Sequence, residues 1–389
     1  MVETRRRRTD LTAQVEKEAE KKAERPKPID TSLLIPSGVT LLNCACSDDP
    51  TGAFVLGQIV TLPGGSVSGK TMQVLTMFAE CSADKRFNEY NLYYDDGEDA
   101  LNIDTSYLFG FDMSRRLLSP NGVIIDPAAR QLEGGKLEDE PLPSETIQDF
   151  KGRILTLVNN SEKPFIYILD SLDSLTTSEE LEKEYKKAVA AAKSAEAVKE
   201  LKGSYKTEKA KHIGESLRMI RGKLKKTKSA LFIIQQLRAN IGRGFGEKET
   251  TTSGGMSPFF YSFHQVWMNK IGTRPKTVGD LKYKIGSRTK AEVTKNKLNG
   301  KRRDIEFDIF DDYGIDDIGA NIDFLVKCKW WGKEKETILA SELNMKAGRA
   351  GLIEKIEKEQ AEEELQKIVG IAWLEVEGSL KIGRSRRFE

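Results

Sequence analysis

The sequence predicts an α/β protein with a mostly parallel central sheet, a short helical N-terminal segment and a small C-terminal α/β region. Three observations carry that expectation. Runs such as Phe165-Ile166-Tyr167-Ile168-Leu169 are apolar without alternation, the mark of strands buried on both faces. Segments with apolar residues at helical spacing separate these runs, which is the order of a βαβ sheet. One strand-to-helix junction, residues 64–71, is a glycine-rich turn of defined pattern.

Residues 1–28 are highly charged and end in Pro26 and Pro28, reading as a short helix and a linker. Residues 58–62 form a short strand, and Met72, Val74, Leu75, Phe78 and Ala79 recur at helical spacing after the glycine turn. Residues 90–95 are a second strand, 103–118 are largely helical, and 123–126 are a third strand. A polar loop at 132–143 precedes a helix ending near Val158 and then the strand 165–169. Residues 178–211, rich in Lys, Glu and Ala, place Leu181, Tyr185, Ala188, Val189 and Ala192 on one side of a solvated amphipathic helix. Helical spacing resumes at 213–224, and 230–234 is another buried strand. The Gly/Thr/Ser stretch 240–258 is long enough to suggest a functional loop. Residues 266–309 read as a β-meander closing the sheet, and 351–369 as a charged amphipathic helix. This divides the chain into an N-terminal helix and linker (1–33), a core (34–312) and a small C-terminal region (313–389).

A chain of 389 residues, 38% hydrophobic, can bury one large core. Its net charge of +2 argues neither for nor against an anionic partner, although basic clusters stand at residues 5–8 and 384–387. Cys44, Cys46, Cys81 and Cys328 are too scattered for a disulfide scaffold, and with only His212 and His264 no zinc constellation forms. No apolar run approaches a membrane span and no signal peptide precedes the basic N-terminus, so a cytoplasmic location is expected.

Gly64-Gly65-Ser66-Val67-Ser68-Gly69-Lys70-Thr71 fits the phosphate-loop pattern G-x-x-x-x-G-K-[ST]. Such a loop aims backbone N–H groups and a helix N-terminus at one spot, which suits a polyphosphate. Lys70 is expected to reach the terminal phosphates of ATP, and Thr71 to hold Mg²⁺. Asp170 ends an apolar strand, where a carboxylate can hold the Mg²⁺ shell through water. The acidic turn Asp96-Gly97-Glu98-Asp99 also follows a strand, at the sheet edge where ligands of open α/β folds bind. One of its carboxylates is placed to orient an attacking water.

Downstream, Gln235-Gln236-Leu237-Arg238-Ala239-Asn240-Ile241-Gly242, then Phe245-Gly246, then Glu249-Thr250-Thr251-Thr252-Ser253-Gly254-Gly255, closely resembles the strand-to-loop passage of RecA recombinases. The acidic turn, Asp170-Ser171 and Lys295-Asn296-Lys297 match further family motifs in chain order, over roughly residues 34–312. The resemblance implies a RecA-like ATPase core, with Glu98 activating the hydrolytic water and Gln236 sensing the γ-phosphate. It implies that Lys295 and Lys297 reach the nucleotide of a neighbouring subunit and that Phe260 lies at the subunit interface. The passage 242–255 would be the second DNA-binding loop, with Arg238, Gly242, Arg243, Phe245, Thr250, Thr251, Thr252, Gly254 and Gly255 as its contacts. Residues 202–207 fall where the first loop belongs. A Gly/Thr-rich loop suits backbone contacts to phosphates, so DNA binding should be sequence-independent and salt-sensitive.

Some positions depart from the family. Ser66 stands nearest the place of a usual Glu, Ser253 is an extra loop residue, and the 178–211 helix is longer. Asp312-Tyr313-Gly314-Ile315-Asp316 resembles diverged phage recombinases of UvsX type. The expectation is a DNA-dependent ATPase that polymerises on single-stranded DNA and catalyses homologous pairing and strand exchange in recombination, repair and the response to DNA damage. It would be a phage-type member acting in a bacterial host's cytoplasm. Implied partners are single- and double-stranded DNA, further copies in a helical filament, and single-strand-binding and mediator proteins, with no membrane. The alternative is a RecA-fold hexameric helicase or KaiC-like regulatory ATPase.

Overall fold

The computed structural model describes residues 30–136, 138–191, 206–239, 250–252 and 255–384. The chain divides by its contacts into residues 1–33 and a large compact unit, Leu34–Glu389. In the first, the described residues form one short 3₁₀ turn, Thr31–Leu33. The helix expected over 1–28 lies outside the described residues.

The large unit opens with β1 (Leu34–Ile35), α1 (Thr40–Ser47) and β2 (Phe54–Val55), then the first sheet strand β3 (Ile59–Gly64) and α2 (Lys70–Ala83). Next come β4 (Asn91–Asp96), α3 (Thr105–Phe109), α4 (Phe111–Ser114), β5 (Leu117–Leu118), α5 (Pro127–Leu132), α6 (Ile147–Asn160) and β6 (Phe165–Asp170). α7 (Ser178–Ala191), α8 (Lys206–Thr227), β7 (Ala230–Ala239), β8 (Thr250–Thr252) and α9 (Ser257–Tyr261) lead to the long strands β9 (His264–Val278) and β10 (Leu281–Asn296) and then β11 (Asp304–Phe310). The chain finishes with β12 (Gly314–Asp316), α10 (Asp317–Lys327), the ribbon β13 (Gly332–Glu334), β14 (Thr337–Ala340) and β15 (Met345–Ala347), then α11 (Arg349–Glu359) and α12 (Glu362–Ser379).

The main sheet runs β12-β11-β10-β9-β3-β7-β6-β4-β5. From β9 to β5 every pairing is parallel, and β10, β11 and β12 add an antiparallel flank. The mostly parallel sheet and the meander over 266–309 are therefore as expected. Apolar run and topology share a cause, because alternate residues of each central strand enter different cores. Ile166, Ile168, Phe232 and Ile234 join Val74, Leu75 and Phe78 of α2. Phe165, Tyr167, Leu169, Leu231 and Ile233 meet Phe150 and Ile154 of α6 and Leu217 and Ile220 of α8. The first core continues into the C-terminal region through Ile322, Leu325, Trp331 and Trp373.

Three expectations are corrected. The strand placed at 123–126 is instead β5, which pairs with β4, while Ile124 only bridges back to Leu118. Asp126 caps α5 by accepting from the Ala129 N–H, with Pro127 in the first turn, so that segment is committed to starting a helix. The helix of 103–118 breaks into α3 and α4 at Gly110, whose φ of 83° a helix cannot accommodate. The helix of 351–369 is two helices, because Gln360 turns left-handed at φ 54° and ends α11. Of the 178–211 helix, α7 and the start of α8 are described, and 192–205 lie outside. Among the described residues no helix is long and apolar enough to cross a membrane.

Candidate active site

The phosphate loop leaves the carboxyl end of β3, the strand flanked by β7 and β9. Two of its glycines are sterically required. A Cβ on Gly64 would lie 2.4 Å from the Met268 carbonyl oxygen, and one on Gly69, at φ 90°, would lie 2.3 Å from Ile309 Cδ1. Val67 crowns the loop at φ 52°, a conformation costing a β-branched residue on the order of 1–3 kcal/mol. Ser66 is exposed, Gly65 has open space around its Cα, and Ser68 Oγ is buried without a hydrogen-bond partner. Buried donors are normally satisfied, so Ser68 and the open glycine make a cradle suited to an anion. Lys70 is 8% exposed, and its Nζ donates to the carbonyls of Gly64 (3.1 Å) and Gly65 (2.6 Å). Burial lowers its pKa, opposed by the nearby Asp170, Glu98 and Asp173 carboxylates.

Strand register collects the acidic groups. Asp96 on β4 lies opposite Asp170 on β6, and Gly64 on β3 lies opposite Gln236 on β7. Thr71 Oγ1 and the Tyr94 hydroxyl each donate to Asp170 Oδ2 at 2.7 Å. Burial raises the Asp170 pKa, against the lowering effect of these two bonds. Thr71 and Asp170 are hard oxygen donors, too few for a complete protein cage, a donor set that fits Mg²⁺, which takes its remaining ligands from phosphate and water. Asp96 Oδ2 accepts the N–H groups of Ala100 and Leu101 and so shapes the acidic turn. That turn presents Glu98, whose Oε1 accepts from Ser171 Oγ and, at 2.7 Å, from Gln236 Nε2. Lys70, Thr71, Glu98, Asp170 and Gln236 thus converge at one sheet edge.

β7 runs past Gln236 to Ala239, beyond the end expected for this strand, and β8 folds back on it. Leu237 pairs with Thr252, Arg238 with Thr251 and Ala239 with Thr250. The Thr-rich passage is therefore a hairpin extension of the strand that carries Gln236. Gly255, at φ 65°, closes it beside Ala210 of α8. Gly242, Arg243, Phe245 and Gly254 lie outside the described residues, as do residues 202–205 of the first-loop candidate.

The lysine pair is not brought to this site. Lys295 pairs with Gln265, and the Lys297 N–H donates to the Phe263 carbonyl, at the opposite end of the sheet. The Phe263 N–H meets the Ile59 carbonyl, so at about 3.3 Å per residue the Lys297 level lies roughly 16 Å from Gly64. Both ammoniums point at the end of α9. Lys295 donates to the carbonyls of Phe259 and Phe260 (3.2 Å) and lies 4.5 Å from the Phe259 ring centre. Burial, then repulsion from Lys297 and Arg221, lowers the Lys295 pKa to about 8. Phe260 beside them is 62% exposed.

One feature escaped the sequence reading. A cleft of about 400 Å³, lined by Met72, Ile103, Asp104, Tyr107, Leu108, Ile309, Phe310 and Asp311, adjoins the phosphate loop. Met72 follows Thr71 directly, and Ile309 is the side chain that excludes a Cβ from Gly69. Apolar walls with Asp104 and Asp311 at the rim suit a flat heteroaromatic ring with a polar edge. Tyr107, 72% exposed, was the available signal, but its neighbours across the cleft stand some two hundred residues away.

Fold and site together define a P-loop ATPase of RecA-like architecture. The RecA N-terminal domain family matches residues 155–316. The chain is 28% identical over 320 residues to Protein RecA of Helicobacter hepaticus, covering 82% of this chain and 79% of the relative. Protein RecA of Streptomyces avermitilis is likewise 28% identical, with 81% and 71% covered. Protein RecA of Wolinella succinogenes is 26% identical, with 88% and 84% covered. The chain is similar to these RecA proteins, and the likenesses support a function in recombination and repair. The relatives are bacterial RecA proteins and lend no support to the expectation of a phage-type, UvsX-like member.

Proposed function

We propose that this chain is a DNA-dependent ATPase that polymerises on single-stranded DNA and catalyses homologous pairing and strand exchange. The observation that carries the reading is the dual position of β7: Gln236 touches Glu98, and from the next residue on the same strand pairs with the Thr-rich segment. A phosphate-sensing residue and a DNA-contacting segment on one rigid strand form a two-state element that both ligands can bias.

In this reading the base of ATP enters the cleft beside Tyr107, and the phosphates meet the N–H groups of residues 64–71. Lys70 exchanges its carbonyl partners for phosphate oxygens. Thr71 and Asp170 would hold Mg²⁺, which supplies charge neutralisation on the phosphates. Glu98 orients the attacking water and accepts its proton. Gln236 Nε2 donates to Glu98 Oε1, and a γ-phosphate competes for the same amide, freeing the carboxylate and drawing on β7. Arg238 and the 242–255 passage then bind single-stranded DNA through backbone phosphates, and duplex DNA joins during pairing. Lys295 and Lys297 complete the site of an adjacent copy, so turnover requires a filament.

We read residues 34–312 as the ATPase core and 313–389 as an appended region packed on it, with single-strand-binding and mediator proteins as partners in a bacterial cytoplasm. A strand-exchange assay combined with electron microscopy of the ATP-bound protein tests the proposal. Joint molecules and helical filaments are expected. Closed rings without exchanged strands would favour the helicase or regulatory-ATPase alternative.

A further inference from the structure

Where β6 stops, β7 is left with unpaired backbone groups on that side. The parallel register ends at Leu169 and Ile233, after which the chain turns away through a cis Asp170–Ser171 peptide. Two groups from the following turn replace the missing ladder. The Leu172 N–H donates to the Ile234 carbonyl at 3.0 Å. The Asp173 carboxylate then accepts the Gln236 N–H through Oδ2 at 2.6 Å. The turn itself is braced, because Ser174 Oγ donates to the Ser171 carbonyl at 2.7 Å and Lys209 Nζ of α8 donates to the carbonyls of Asp173 and Leu175.

Gln236 is therefore held twice by acids from different elements. Glu98 takes its side chain, and Asp173 takes its main chain. We infer that Asp173 is a positioning residue that pins the Gln236 backbone, so that exchange of the side chain between Glu98 and a phosphate moves the β7–β8 hairpin instead of fraying the strand end. This rests on the function proposed above and adds the fulcrum it requires. A charge-assisted bond is shorter and about twice as strong as a neutral one, which suits a joint that must survive while its neighbour changes partners. The Asp173 carboxylate also raises the Lys70 pKa, and Asp173→Ala and Asp173→Asn both remove that charge, so the difference between the two variants isolates the hydrogen bond to Gln236.

The test compares wild type, Asp173→Ala and Asp173→Asn as full-length proteins. The readouts are kcat and KM for ATP with and without oligo-dT, and backbone amide exchange at Gln236 and Leu237. Asp173→Ala should lower DNA-stimulated kcat roughly tenfold, the loss of about one charge-assisted hydrogen bond, with any KM change shared by Asp173→Asn because both lose the charge near Lys70. Its Gln236 amide should exchange at least about tenfold faster. Asp173→Asn keeps an acceptor oxygen and should restore most of both. Unchanged amide exchange in Asp173→Ala, or an Asn variant as impaired as the Ala one, overturns the pin. So does an equal fall in basal and stimulated turnover with a lowered Tm, which marks a general packing role. If wild type itself shows no stimulation by oligo-dT, the proposed function fails, while the amide-exchange comparison still decides whether Asp173 holds Gln236.

Discussion

The placement of Lys297 allows a quantitative test of whether one site is built from two chains. Its level on the sheet lies roughly 16 Å from Gly64, and an extended lysine reaches only about 6 Å from its Cα. The lysine therefore has no path to its own phosphate loop without refolding the sheet. Under the proposed shared site, each interface of a head-to-tail filament would join one subunit's Glu98 to the next subunit's Lys297. Lys297→Ala and Glu98→Ala proteins should each be nearly inactive when homogeneous. In an equal, randomly assembled mixture, half the subunits offer Glu98 and half the neighbours offer Lys297, so about a quarter of the interfaces regain both groups. The expected outcome is about 25% of wild-type DNA-stimulated ATP turnover from two inactive stocks, with the maximum at equal proportions. A steady-state phosphate-release assay across mixing ratios measures it. A mixture no more active than its components would refute the shared site and return the lysines to a purely structural role at the end of α9.

Other consequences are narrower. Tyr107→Ala should weaken ATP binding roughly tenfold while leaving inorganic triphosphate unaffected, and equal weakening of both in a competition titration would remove the base from the cleft. Lys295 has its pKa lowered to about 8 in the folded protein, against an ordinary value of 10.5. The unfolded chain then binds more protons between those values, so this residue's contribution to stability rises with pH through that window and is lost as pH falls towards 8. Lys295→Gln should accordingly show its most favourable Tm difference from wild type near pH 7 and lose it by pH 10; the reverse trend in thermal melts contradicts the burial argument. Deleting residues 244–254 should cost most of the single-strand affinity in an anisotropy titration and flatten its salt dependence, and an unchanged affinity and salt slope would exclude that loop.

Much of the site was legible because its parts are local. The phosphate loop is eight consecutive residues whose glycines answer to close contacts, and the apolar strands announce burial on both faces. Glu98 and Asp170 follow recognisable strands. The errors fell where one residue's backbone preference outweighed a window average: Gly110 and Gln360 broke helices that periodicity would have continued, and the cap at Asp126 turned an apolar strand pattern into a helix start.

The sequence alone carried the chemical parts: a glycine-rich turn of phosphate-loop pattern, carboxylates at strand ends, a glutamine before a Thr-rich passage, and a lysine pair. Which of these share a site was a matter of topology and register. Parallel pairing put Gln236 beside Gly64 and Asp170 beside Asp96, whereas the reversal of direction between β9 and β10 carried the lysines to the far end of the sheet. The cleft beside Met72 and the Asp173 bond to Gln236 likewise join residues far apart in sequence, and no local pattern encodes such contacts, because only the closed sheet brings their elements within reach.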